Sequence, residues 1–93
     1  MSRLVARIKI LPSEAEVKPQ AIVGSLTTNL PSNMQMIAHA EEPIAFGLNA
    51  VVADFTLDDS EGQMDLLEDS IKKIELVGEI EVINVSRQSV KMK

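Results

Sequence analysis

A chain of 93 residues has room for one hydrophobic core, so one domain spanning 1–93 is expected, and its size permits stability without metals or disulfides. With no cysteine it cannot build a disulfide framework, a thiolate zinc site, an iron–sulfur cluster or a thiol nucleophile. Nine Lys and Arg against fourteen Asp and Glu leave a net charge of −5, which argues against a nucleic-acid backbone as partner, as does the scarcity of aromatics for base stacking: only Phe46 and Phe55.

The opening segment has no continuous apolar signal-peptide core, and no stretch is long enough to span a bilayer, so a cytoplasmic protein with no membrane partner is expected. Over residues 3–10, Leu4, Ala6, Ile8 and Ile10 alternate with Arg3, Val5, Arg7 and Lys9, which predicts a half-buried strand that Pro12 and Ser13 end. Pro19 suits a helix start, and Ile22, Leu26 and Leu30 recur every four residues, predicting a helix over 19–30 that Pro31 breaks. A second strand over 34–40 places Met34, Met36, Ala38 and Ala40 on one side and runs into a loop at Glu41, Glu42 and Pro43.

Residues 48–57 are apolar on both faces and rich in strand formers, which predicts a central strand. Asp58, Asp59, Ser60, Glu61 and Gly62 form a turn expected to cap a second helix, whose Met64, Leu67, Ile71 and Ile74 are spaced by three and four. Gly78 stops it. Residues 79–85 alternate again as the last strand, and a polar, basic tail is expected from Ser86 onward. The order β-α-β-β-α-β is the split βαβ pattern of an α+β, ferredoxin-like sandwich: a four-stranded antiparallel sheet in the order 4-1-3-2, two helices on one face and an open face for a partner.

Chemistry is sparse. His39 is the only histidine, so no two-histidine metal site can form. Asp58, Asp59 and Glu61 lack the spacing of a calcium loop, and Glu41 with Glu42 reads as a solvated pair. Gly24, Gly47, Gly62 and Gly78 are far apart, and none precedes the Lys-Ser/Thr of a phosphate loop, so direct nucleotide binding is not expected. No cofactor is implied, and a non-enzymatic role is expected. Arg3, Arg7 and Lys9 load the first strand and Arg87, Lys91 and Lys93 the last residues, which suggests a basic surface on an acidic protein. The run Pro43-Ile44-Ala45-Phe46-Gly47 puts an apolar ring in a loop, where it needs the core or a partner.

That run, extended as Glu41-Glu42-Pro43-Ile44-Ala45-Phe46-Gly47-Leu48, closely resembles the signature of archaeal elongation factor 1-beta. The opening strand through Lys9-Ile10-Leu11-Pro12-Ser13, the turn at 59–62 and the strand at 79–85 are similar to their counterparts in that family. The resemblance implies a guanine-nucleotide exchange factor that binds elongation factor 1-alpha and speeds replacement of GDP by GTP. It implies partner contacts by Pro43, Ile44, Phe46 and Gly47, and a C-terminal cation that reaches the GTPase's magnesium region, with Arg87, Lys91 and Lys93 as the available residues. A small-ligand regulatory module on the same sandwich is the alternative, but it would need neither the Phe-Gly loop nor the basic tail. An RNA-binding sandwich would need exposed aromatics.

Overall fold

The computed structural model describes residues 2–45 and 47–89. Its elements run β1 (Ser2–Pro12), α1 (Pro19–Asn29), β2 (Gln35–Pro43), β3 (Asn49–Asp58), α2 (Gln63–Lys72) and β4 (Val77–Ser89). The four strands make one sheet in the order β2-β3-β1-β4, every neighbouring pair antiparallel, which is the expected 4-1-3-2 order read from the other edge.

The alternation of β1 sends Ala6, Ile8 and Ile10 to the helix-covered face, opposite Phe55, Ala53 and Val51 of β3, and all six are buried. Ile22 and Leu26 of α1 and Leu67 and Ile71 of α2 close over them, so the core lies between the helices and this one face. Pro19 stands at the first turn of α1, where its missing N–H costs nothing, and Leu30 is extended because Pro31 follows it. The last turn of α1 is tightened by Thr27, Thr28 and Asn29, whose side chains donate to the carbonyls of Val23, Gly24 and Ser25.

Three bulges depart from the simple alternation. Ile37 is an extra residue between Met36, opposite Phe55, and Ala38, opposite Asp54. The bulge reverses the parity of β2, so His39 and Glu41 share the helix side with Met36 while Ala38 and Ala40 turn to the open face. The expectation that Met36, Ala38 and Ala40 line one side is thereby corrected. Glu41, Glu42 and Pro43, read as a loop, instead extend β2 opposite Val51, Ala50 and Asn49. Pro43 is tolerated there because β2 is an edge strand.

Ile83 is the second extra residue, between Val82 opposite Ile8 and Asn84 opposite Arg7. Beyond it β4 does not become a tail at Ser86 but stays paired with β1 through Ser89, opposite Ser2. Gly78 is the third, between Val77 opposite Pro12 and Glu79 opposite Leu11, so it lies inside β4 rather than stopping the chain ahead of it. A β-carbon on Gly78 would stand 2.7 Å from the Pro12 carbonyl oxygen and 3.0 Å from Ser13 Cα, so only glycine lets β4 approach β1 this closely.

Candidate functional site

The β2–β3 connection begins at Ile44. The Ile44 N–H donates to the Leu48 carbonyl at 2.9 Å, and the Leu48 N–H returns a bond to the Ala45 carbonyl at 2.9 Å. These bonds close a tight turn in which Gly47 takes a φ of 79°, the left-handed conformation that favours glycine at the third turn position. Pro43, opposite Asn49, fixes the entry of the chain into the turn, and Ile44, the next residue, has 41% of its surface exposed. Phe46 lies outside the described residues. The sheet brings this turn beside the end of β1 and the start of β4: Leu11, Pro12, Ser13, Ile44, Leu48, Gly78 and Glu79 line one open groove of about 480 Å³. Leu11, Gly78 and Glu79 carried no functional signal in the sequence, because their proximity to the turn arises only from strand pairing.

Arg87 lies at the other end. It sits in β4 opposite Leu4, and the eight steps back to Glu79 span roughly 26 Å at about 3.3 Å per residue. Pro43, Ile44 and Gly47 therefore form one cluster and Arg87 marks a second, distant one; Lys91 and Lys93 lie outside the described residues. Arg87 Nε stands 2.7 Å from Asp59 Oδ2 in a salt bridge. The turn after β3 thus does something other than cap α2. The N-cap residue of α2 is Gly62, with φ 87° and no side-chain cap bond, while Asp58 and Asp59 are engaged by Arg3 and Arg87.

On the open face the three cations of β1 are each paired with a carboxylate. Arg3 Nη1 donates to Asp58 Oδ1 at 2.6 Å and Nη2 to the Asn33 carbonyl at 3.2 Å. Arg7 grips Asp54 with two bonds, Nε to Oδ1 at 2.9 Å and Nη2 to Oδ2 at 3.2 Å, and Lys9 Nζ stands 3.7 Å from Glu42 Oε2. Hydrogen bonding to Arg7 holds the Asp54 carboxyl below its ordinary value against a smaller opposing effect of desolvation, and the same bonds raise Arg7. The basic surface expected from Arg3, Arg7 and Lys9 is thus neutralised in place by three carboxylates. His39 is an exposed strand residue. Among the described residues no group of three or more His, Asp or Glu is placed to hold a metal ion, and no helix is long and apolar enough to cross a membrane.

The chain is an α+β, ferredoxin-like sandwich with the glycine-turned 43–48 loop at one end and the edge strand β4 carrying Arg87 to the other. The model of the EF-1 guanine nucleotide exchange domain matches residues 5–87, and the chain belongs to that family. It is 38% identical over 88 residues to elongation factor 1-beta of Aeropyrum pernix, covering 94% of this chain and 98% of that one. It is 33% identical to elongation factor 1-beta of Thermofilum pendens, over 96% and 99% of the two chains, and 36% identical to that of Methanothermobacter thermautotrophicus, over 94% and 98%. Among solved structures, the C-terminal domain of the MgtC protein from Mycobacterium tuberculosis aligns with a TM-score of 0.46 and 12% identity over 95% of this chain and 86% of that one, too slight a likeness to bear on function.

Proposed function

We propose that this chain is a guanine-nucleotide exchange factor that binds elongation factor 1-alpha and accelerates its release of GDP, without binding the nucleotide itself. The observation that carries the reading is the exchange-domain match over residues 5–87, joined to relatives named elongation factor 1-beta that align over nearly the whole of both chains. The exchange factor works by binding one state of the GTPase better than another and so shifting its population.

In this reading the 43–48 turn, with Pro43, Ile44, Phe46 and Gly47, holds the partner, and the C-terminal cations act at its nucleotide site. An ammonium group entering the magnesium region competes for the oxygens that hold the ion, and a weakened ion releases the phosphates it bridges. Arg87, Lys91 and Lys93 are the candidates for the entering cation, and of these Arg87 stands beside the Asp59 carboxylate.

The test is release of a fluorescent GDP analogue from an archaeal elongation factor 1-alpha. Sub-stoichiometric amounts of the full chain should drive release over many turnovers when GTP is in excess. If an equimolar amount leaves the rate unchanged, the reading is wrong.

A further inference from the structure

We propose that the outer edge of β4 pairs antiparallel with the β4 edge of a second copy of this chain, about a two-fold axis between Ile83 and Asn84, so that two four-stranded sheets join into one. The pairing needs no elongation factor and does not rest on the exchange-factor reading.

β4 stands at one end of the sheet order, so along its outer side N–H and C=O groups have no strand opposite them among the described residues. The strand is 13 residues long. Val82, Ile83 and Val85 are 37%, 48% and 41% exposed, and they are three of the six exposed large apolar side chains among the described residues. Residues 82–86 carry neither charge nor proline. The opposite edge is blunted, because β2 ends on Pro43, which has no N–H to donate, and carries Glu41 and Glu42 side by side.

The bulge at Ile83 selects the occupant. Ile80, Val82, Val85 and Arg87 lie opposite Ile10, Ile8, Ala6 and Leu4, which puts them on the helix side, while Glu81, Asn84 and Ser86, opposite Lys9, Arg7 and Val5, lie on the open side. Val82 and Val85 thus share a face although they are three apart. Against a regular strand one residue of the bulge stays unmatched, as it does against β1. Against its own antiparallel copy the two bulges meet, and every residue from 80 to 87 falls opposite one that matches it.

Val82 then meets the second copy's Val85 and Val85 its Val82, an apolar cluster of four side chains on the helix side. Ile80 at each end lies against the aliphatic stem of Arg87, whose head is held by Asp59. On the open side Glu81 falls opposite Ser86, so no carboxylate opposes a carboxylate. A parallel, in-register pair would set Glu79 on Glu79 and Glu81 on Glu81 in a chain of net charge −5.

The experiment is sedimentation equilibrium of the full chain with thermal unfolding over the same concentrations, on the parent, Val82→Lys, Val85→Glu, an equimolar mixture of those two, and Ile37→Lys on the β2 edge. The parent should approach twice its 10.2 kDa mass as concentration rises, with a Tm that rises in step. Val82→Lys and Val85→Glu should each weaken self-association about tenfold or more, while unfolding at the temperature of the dilute parent. Their mixture should recover the dimer, because each new lysine then lies opposite a new glutamate and each remaining Val85 opposite a Val82. Ile37→Lys should associate like the parent. A parent that stays monomeric up to about 1 mM, where self-association is no longer specific, overturns the proposal. So do single β4 variants that associate like the parent, or an Ile37→Lys chain that alone loses the dimer. If both β4 variants are monomeric and their mixture is too, the antiparallel pairing of 82 with 85 is wrong.

Discussion

Arg87 Nε reaches Asp59 Oδ2 at 2.7 Å and ties the far end of β4 to the turn that follows β3. Arg87 keeps 66% of its side chain exposed against 24% for Asp59, so the pair itself contributes at most about 1 kcal/mol after solvent screening. Its greater importance is positional: with the ladder from Leu4 opposite Arg87 to Ser2 opposite Ser89, it holds the last described residues of β4 against the rest of the fold.

Two truncations separate the strand from the residues C-terminal to it. A chain ending at Ser89 keeps every described pairing of β1 with β4, so it should unfold at the parent temperature while losing most of its exchange activity through the missing Lys91 and Lys93. A chain ending at Ser86 also loses three ladder partners of β1 and the Asp59 contact, and its Tm should fall by roughly 5 °C, the shift expected for about 1 kcal/mol in a domain of this size. Calorimetric melting of both, beside a GDP-release assay, checks the assignment; full exchange by the chain ending at Ser89 would remove the tail from the mechanism.

Two glycine-to-alanine changes should move stability in opposite directions. Gly78→Ala forces a β-carbon to within 2.7 Å of a backbone oxygen that cannot rotate away, and should cost about 1–3 kcal/mol. Gly24→Ala meets nothing within 4 Å on helix α1 and should stabilise by about 0.5–1 kcal/mol. Urea midpoints at unchanged m-value measure both.

The Arg7–Asp54 pair carries an acid-limb pH dependence. Its hydrogen bonds lower the Asp54 carboxyl from the ordinary value of 3.8, so the folded state holds this carboxylate ionised more strongly than the unfolded chain does. The resulting stability is fully present above the unfolded value and is lost as pH falls through that value and then the lower folded one. Asp54→Asn should therefore lose less Tm than the parent between pH 6 and pH 2, a window of roughly two units to either side of an unperturbed aspartate. An equal acid loss in both proteins would show that other carboxylates set the limb.

The two phenylalanines should part company. Phe55 is fully buried between the sheet and the helices, and Phe55→Ala should cost about 3–5 kcal/mol and unfold much of the population on warming. Phe46→Ala should leave Tm close to the parent and impair GDP release, as its proposed place against the partner requires. A stability loss for Phe46→Ala comparable to that of Phe55→Ala would make the ring structural.

What the order of residues determined unaided is the layer plan. The period of two in Leu4, Ala6, Ile8 and Ile10, the four-residue recurrence of Ile22 and Leu26, and the spacing of Leu67 and Ile71 each require an apolar face to be covered, and these faces are the observed core. Proline at 19 and 31 marked the ends of α1 for an equally local reason. The Pro43-Ile44-Ala45-Phe46-Gly47 run was legible as an apolar loop, but its companions in the groove were not. Leu11 and Glu79 reach it through pairings that span much of the chain, and no local period encodes which strand end lies beside which turn. The same holds for the charges: Arg7 and Asp54 are 47 residues apart, so the basic stripe of β1 stands unopposed until the sheet sets β3 against it. The bulges at Ile37 and Ile83 complete the difference. Each adds a residue that one strand alone cannot reveal, because a bulge exists only relative to its neighbour, and each reverses the inward and outward sides of everything beyond it in the strand.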